Sequence, residues 1–353
     1  MHKKGEINMS FKNVGAFDLG KAATRSAQGG NATVFNMDAA GIASGQAFLN
    51  SELEKRDTLV RTPLTSFTYG RDLPIRVGGG WAEFVSAMQV GYGVTGGSGE
   101  GVIHSGGANG IPMVQADFSK GVFKTHMIAA GTRVMWIDMQ RGNMTGRNID
   151  SLLRDGLRMA YDKHMDENAY VGFARYGTTG LVNNPDVTVM DASSDGAGAQ
   201  TGWRSKTPEQ ILEDVNNAIL AGWERAEYDL DAIPNHIIMP YEQYNYIATA
   251  KVTELAEKTI LTFLLENNVA KHNGSDLFIG AVRWCKGAGD DGADRMVVYC
   301  NRERYIAMDE LAPLTRAMTS PNTEQFCYDT AYAGNLSEVE VFYEQTLTYM
   351  DGI

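Results

Sequence analysis

Residues 81–95 read WAEFVSAMQVGYGVT, residues 95–110 read TGGSGEGVIHSGGANG, and residues 122–129 read VFKTHMIA. In the first stretch Phe84, Ser86, Met88, Val90 and Tyr92 fall at every second position. In the third, Val122, Lys124, His126 and Ile128 alternate with Phe123, Thr125, Met127 and Ala129. Period two is the spacing of a strand, so two extended segments between Trp81 and Asp138 flank a glycine-dense tip. Glycine frees the tip to take positive φ but raises the entropy cost of ordering it. A two-stranded ribbon is marginal in water on its own. One this long, with apolar residues on both faces, is expected to lie against something else, most simply a second copy of the chain. Two other readings fit the same letters, an ordinary hairpin with a disordered loop and a phosphate cradle. The cradle is the weaker, because the Walker spacing ending in Gly-Lys-Ser/Thr is missing and no helix pattern starts at its end.

Working outward, residues 1–45 show scattered single apolar residues and no sustained period, as in an arm that orders only against other chains. Phe48, Leu49 and Leu53 suit a short helix near 44–57, and the prolines of 62–75 favour extended chain. After the ribbon, Ile149, Leu152, Leu153, Leu157, Ala160, Tyr161 and Met165 recur at helical spacing, with Asn148 or Thr145 placed to cap a helix running to about Tyr170. Thr207, Pro208 and Gln210 form a capping box with proline at the first helical position, ahead of a buried stripe of Ile211, Val215, Ala218, Ile219, Gly222 and Ala226. A strand at 235–240, helices at 241–249 and 254–267, and strands at 276–284 and 295–300 make residues 203–315 a compact α+β unit of its own. Residues 338–349 read as one more strand, returning to pack beside the first long helix.

Composition narrows the function. The chain has 353 residues, of which 43% are hydrophobic and 21% charged, an ordinary globular balance. The start, Met1-His-Lys-Lys4, leads into no apolar region, so neither a secretory signal nor a membrane span is expected, and the protein reads as soluble and made in the cytoplasm. The net charge of −12 disfavours nonspecific adhesion to nucleic acid. Residues 1–60 hold seven Lys/Arg against six Asp/Glu, which leaves −13 on the remainder. Cys285, Cys300 and Cys327 are odd in number and lack Cys-x-x-Cys spacing, so they read as small buried hydrophobes.

No chemistry emerges from the motifs. Gly287 to Gly292 matches G-x-G-x-x-G, but Asp290, Asp291 and Asp294 would repel a pyrophosphate and the next apolar run looks like a strand; a tight hairpin turn is expected. His164 has Asp162, Asp166 and Glu167 nearby, yet positions two apart on a helix do not face each other, so it reads as part of a solvated face. Asp290 with Asp291, and Glu338 with Glu340, read as surface charge. No nucleophile elbow or histidine pair is present. Catalytic, cofactor-binding and metal residues are therefore expected to be none.

The order of elements does point somewhere. Residues 62–80, the ribbon with 111–117, the helix with 166–172, and residues 180–185 and 349–353 together resemble the major capsid proteins of tailed phages. Those have the Hong Kong 97 type α+β fold, shared with encapsulins. The resemblance implies an N-arm at 1–57, a crossing segment at 58–79, an extended E-loop at 80–138, and a peripheral domain at 139–202 whose spine helix spans 146–176. An axial domain at 203–315 and a return to the peripheral domain at 316–353 complete it. It further implies a non-enzymatic protein that self-assembles, as hexamers and pentamers of identical subunits, into an icosahedral virion shell around double-stranded DNA. Portal and scaffolding or decoration proteins are its implied partners, with no membrane, no cofactor and no sequence-specific DNA binding. An encapsulin nanocompartment is the alternative. Some relatives cross-link lysine to asparagine; Lys120 and Lys124 lie in the arm, but neither pairs with an asparagine and an activating acid, so that chemistry is not carried over.

Overall fold

The computed structural model describes residues 63, 65–95, 113–145, 148–253 and 258–353. The expected N-arm, the short helix at 44–57, the glycine tip and Leu255 lie outside them. The chain divides between Thr65 and Ser66, and its described helices and strands belong to the unit Ser66–Ile353.

In chain order the elements are α1 (Tyr69–Asp72), β1 (Ile75–Val77), β2 (Phe84–Thr95), β3 (Met113–Met135), α2 (Trp136–Thr145), α3 (Ile149–Tyr170) and β4 (Thr188–Asp191). Then come α4 (Pro208–Arg225), β5 (His236–Met239), α5 (Tyr241–Thr249), α6 (Ile260–Glu266), α7 (Val269–His272), β6 (Phe278–Ala281) and β7 (Arg295–Tyr299). The chain ends with β8 (Ile306–Glu310), β9 (Ala312–Asn322), β10 (Cys327–Ser337), β11 (Val339–Val341) and β12 (Leu347–Asp351).

The period-two stretches are strands, and they pair antiparallel from Phe84 opposite Lys124 to Thr95 opposite Met113. β3 is longer than its alternation suggested. Its 23 residues reach about 75 Å at about 3.3 Å each, and past the root of the ribbon they pair with β10, Thr125 opposite Ser337 through Met135 opposite Cys327. The sheet order is β2-β3-β10-β9. Extension stops at Met135, not Asp138. The Trp136 N–H donates to the Phe326 carbonyl, the two rings sit 5.2 Å apart, and α2 begins there. Gly142 and Asn143, poor helix formers, hid that helix from the pattern.

The long helix α3 has the predicted bounds, with Asn148 Oδ1 accepting from the Ser151 N–H. Only its second half is covered. Tyr161, Met165, Ala169 and Tyr170 are buried, whereas Leu152 and Leu153 of the same apolar stripe are exposed. The exit from α3 is tight. Gly172 has φ +69°, the Leu181 and Val182 N–H groups donate to the carbonyls of Ala169 and Tyr170, and Asn183 bridges Gly180 N to Val171 O. A Cβ on Gly180 would lie 2.2 Å from the carbonyl carbon of Tyr170.

The central sheet runs β4-β12-β7-β5-β6 and is buried on both faces. Val297 and Tyr299 of β7, Ile238 of β5, and Leu347 and Tyr349 of β12 face one core with the second half of α3. Met296, Val298, Ile237, Met239 and Met350 face the other, against the stripe of α4 and Ile260 and Leu264 of α6. A sheet covered twice requires near-continuous apolar strands, which is what 236–239 and 296–299 supply. A third sheet, β1-β8-β11, continues the first core through Met308 and Val339.

Several expectations need correcting. The Gly287–Gly292 turn is present, with Gly292 at φ +76°, but β5 lies between β6 and β7, so it is a crossover and not a hairpin. Residues 203–315 do not close a sheet among themselves, because β4 and β12 come from outside them. The helix expected from Glu254 starts at Ile260, since Thr259 caps it and bridges Lys251. Residues 338–349 break into β11, a 3₁₀ turn and β12. The capping box of Thr207 and Gln210 and the span of α5 agree with the sequence.

Because backbone, not a flexible side chain, occupies the space beside Gly180, Gly180→Ala should lower stability by about 3 kcal/mol, and denaturant unfolding of the unassembled chain measures it.

Candidate assembly surface

The register of the ribbon sorts its side chains. Phe84, Met88, Val90 and Tyr92 share one face with Val114, Phe118, Lys120, Val122 and Lys124. Met88 is 73% and Tyr92 78% exposed, and Phe84, Phe118 and Val122 are likewise open. The other face is mixed: Gln89, Gly91, Gln115, Asp117 and Ser119 interrupt Val85, Ala87 and Met113, with Phe123 at the root packed edge-on against Phe342 at 5.6 Å. Apolar residues thus occur on both faces, as expected, but the large exposed ones are concentrated on the first. Along β3 the even-numbered side chains that are open in the ribbon continue into the body. There Ile128 packs against the core and Val134 is buried. One apolar stripe is covered at its inner end and bare at its outer end.

The root of the ribbon is tied by polar bonds. Glu338 Oε1 accepts from the Lys124 N–H at 2.7 Å, Lys124 Nζ donates to the Gly177 carbonyl at 2.8 Å, and Thr125 Oγ1 donates to the Glu83 carbonyl at 2.7 Å. Asn335 Nδ2 donates to the carbonyls of Gly80 and Ala82. The chain enters β2 through Gly78, Gly79 and Gly80, at φ +135°, +109° and +66°, a turn that L side chains rarely adopt.

Upstream, two buried carboxylates fix this lead-in. Asp72 accepts from Arg71 Nε at 2.6 Å and from the Tyr170 hydroxyl, lies 3.1 Å from His236 Nε2, and its carbonyl accepts from the Tyr299 hydroxyl. Burial works to raise the Asp72 carboxyl, but the bonds from His236, Arg71 and Tyr170 outweigh it and hold it below the usual range. Asp166 accepts from the Thr68 N–H, Arg283 Nη2 and Trp284 Nε1, each at 2.8–2.9 Å.

Beneath the ribbon lies a cleft of about 460 Å³ lined by Arg76, Met88, Gln89, Glu340, Phe342 and Tyr343, among others. Arg76 bridges Asp309, at 2.6 Å, and Glu340. Glu340 was expected on the surface but is fully buried, with Oε1 unpartnered, because β11, although an edge strand of its sheet, turns this side chain inward beside Arg76 of β1. Burial, reinforced by Asp309, pushes its carboxyl up to about 7 against the pull of Arg76.

The other candidates stay apart. His164 is exposed, its ring 4.8 Å from Phe173, and no cluster able to hold a metal occurs among the described residues. Cys285, Cys300 and Cys327 are free and buried, and burial pushes the Cys300 thiol up to about 11, so it is no nucleophile. Asp290 is exposed as expected, and Lys120 is exposed on the ribbon. Sequence reasoning missed Asp72, Glu340 and His126. The available signal was an isolated acid among apolar residues, as in Val339-Glu340-Val341. No helix among the described residues is long and apolar enough to cross a membrane.

A double-covered sheet, a long half-bare helix and an extended ribbon with an uncovered apolar stripe define a shell-building structural protein. The sequence profile of the major capsid protein family matches residues 99–353, and the chain belongs to that family. Its fold is the Hong Kong 97 type of tailed-phage capsids. The structure titled "The capsid of Myoviridae Phage XM1" is similar at 16% identity with a TM-score of 0.70, over 86% of this chain and 98% of that one. Microbacterium phage Oxtober96 is similar at 12% identity and 0.58, over 87% and 97%. The capsid of an empty GTA particle is similar at 11% and 0.55, over 86% and 97%. No curated protein sequence matches. The encapsulin alternative is not favoured.

The raised Glu340 carboxyl has a definite sign. Below about pH 4.5 the group is protonated in both states, and as pH rises from there through about 7 only the unfolded chain loses its proton freely, so stability falls. Glu340→Gln should remove that loss, raising the melting temperature at pH 8 by about 2–4 °C and changing it little at pH 4.5; thermal unfolding at both pH values tests it.

Proposed function

We propose that the chain self-assembles, through ribbons laid on neighbouring copies, into a closed icosahedral shell of hexamers and pentamers around a double-stranded DNA genome. The observation that carries this reading is the bare outer half of an apolar stripe whose inner half is core. Burying Met88 and Tyr92 on a neighbour contributes about 1.5–3 kcal/mol each, modest singly and large when repeated around a lattice. The exposed first half of α3 offers a second strip for the same purpose.

In this reading residues 1–57 are the N-arm, 80–138 the E-loop, 139–202 and 316–353 the peripheral domain with α3 as its spine, and 203–315 the axial domain. The −13 balance of residues 61–353 supports enclosure of DNA without sequence-specific grip. Portal, scaffolding or decoration proteins complete the particle, and synthesis is in the host cytoplasm.

Electron microscopy of the full chain expressed alone should reveal capsomers or shells. Met88→Asp combined with Tyr92→Asp should keep the wild-type melting temperature yet weaken assembly by at least about 100-fold in critical concentration. A wild-type chain that remains monomeric at high concentration, or a variant that assembles normally, would overturn the proposal.

A further inference from the structure

β3 changes partner at one point. Lys124 is the last residue paired with β2, and Thr125 and His126 are the first paired with β10. The His126 side chain is therefore at the hinge between body and ribbon. Both of its ring nitrogens are shut off from water and neither has a hydrogen-bond partner. Its ring stands edge-on to Phe173 at 5.4 Å and lies parallel to Tyr176 at 6.2 Å, and His164 of α3 also packs on Phe173, at 4.8 Å. An imidazole with two idle nitrogens in an aromatic setting is a poor wedge, since a phenylalanine would fill the space without burying polar atoms. What the imidazole adds is the capacity to take up a proton.

We propose that His126 is an acid-released latch: its neutral ring, wedged against Phe173 and Tyr176, fixes the ribbon root on the end of α3, and protonation frees it. Tyr176 and His164 are the ionisable groups at the ring, and the elements packed there also carry Lys124 on its own strand, Glu83 before β2, Glu338 after β10, Lys163 and Glu167 on α3, and Arg175 in the following turn. Glu338 is committed to the Lys124 N–H, and Lys124 Nζ to the Gly177 carbonyl. His164 is the neighbour whose charge bears on His126, and its sign opposes a second cation. Burial first, and His164 second, hold the His126 ring below the ordinary histidine range. Because the folded state disfavours the proton, the seat is stable above about pH 6.5 and weakens as pH falls below it. The inference rests on the hinge geometry and stands whatever the ribbon docks on.

Hydrogen exchange of the full-length chain, followed by mass spectrometry from pH 7.5 to 5 and corrected for intrinsic rates, reads the latch directly. In peptides spanning 120–130 and 170–178, exchange should rise by up to about tenfold per pH unit below about 6.5, while peptides of the central sheet stay level. His126→Phe should abolish the rise, and His164→Ala, which removes the opposing charge, should shrink it. A wild-type root whose exchange ignores pH overturns the proposal even if His126→Phe does not fold, and so does a folded His126→Phe that keeps the full acid response.

Discussion

Residues 125–135 of β3 are paired with β10 along their whole length, and this ladder supports a ribbon that has no other sheet to lie in. A hairpin as long as β2 and the outer half of β3 would be marginal by itself. Here its second strand is a direct continuation of a strand in a four-stranded sheet, so direction and twist are inherited from the body and need not be generated locally. The polar bonds of Thr125 and Asn335 then hold the start of the first strand at the root. Without the β10 ladder, neither the exposed stripe nor the cleft below it would have a fixed position.

The lead-in to the ribbon is set by charge as well as by the apolar packing of Leu73. Asp72 and Asp166 each gather donors from distant parts of the chain, the first from α1, α3 and β5, the second from Thr68 and the 3₁₀ turn at Arg283–Cys285. Such nodes contribute little net stability compared with a well-packed apolar replacement, but leaving one partner unsatisfied costs several kcal/mol. They select one route for the chain over others of similar burial. That suits a subunit whose ribbon must leave the body at a set angle.

Much of this was legible in the letters. α3 and α4 were readable because cap residues and apolar spacing agree: Asn148 before Ile149, and Thr207 with Gln210 before Ile211. β2 and the centre of β3 showed because their side chains alternate at period two, with the large apolar ones concentrated on one face of the ribbon. The extent of β3 did not show, since its partner β10 is remote in sequence and Lys120 and Gly121 interrupt the alternation in its outer half. The crossover at 287–292 looked like a hairpin because a glycine turn has the same local chemistry whichever strand comes after it. Glu340 and His126 were opaque for a related reason: burial of a polar side chain is decided by what the fold brings over it, here β1 and β8 for the glutamate and the end of α3 for the histidine. The assembly surface was legible as a ribbon in need of a partner, but which of its faces was bare required the register.

The position of β12 has a temporal implication. This strand, residues 347–351, sits inside the central sheet between β4 and β7 and supplies Tyr349 to one core and Met350 to the other. Everything made before it has a slot missing in the middle, and long-range pairing of this kind is slow to form. A nascent subunit therefore cannot complete its body until the ribosome has released that strand. If ribbons dock on neighbouring copies as proposed, they have no finished surface to grip until the neighbour's β12 is in place.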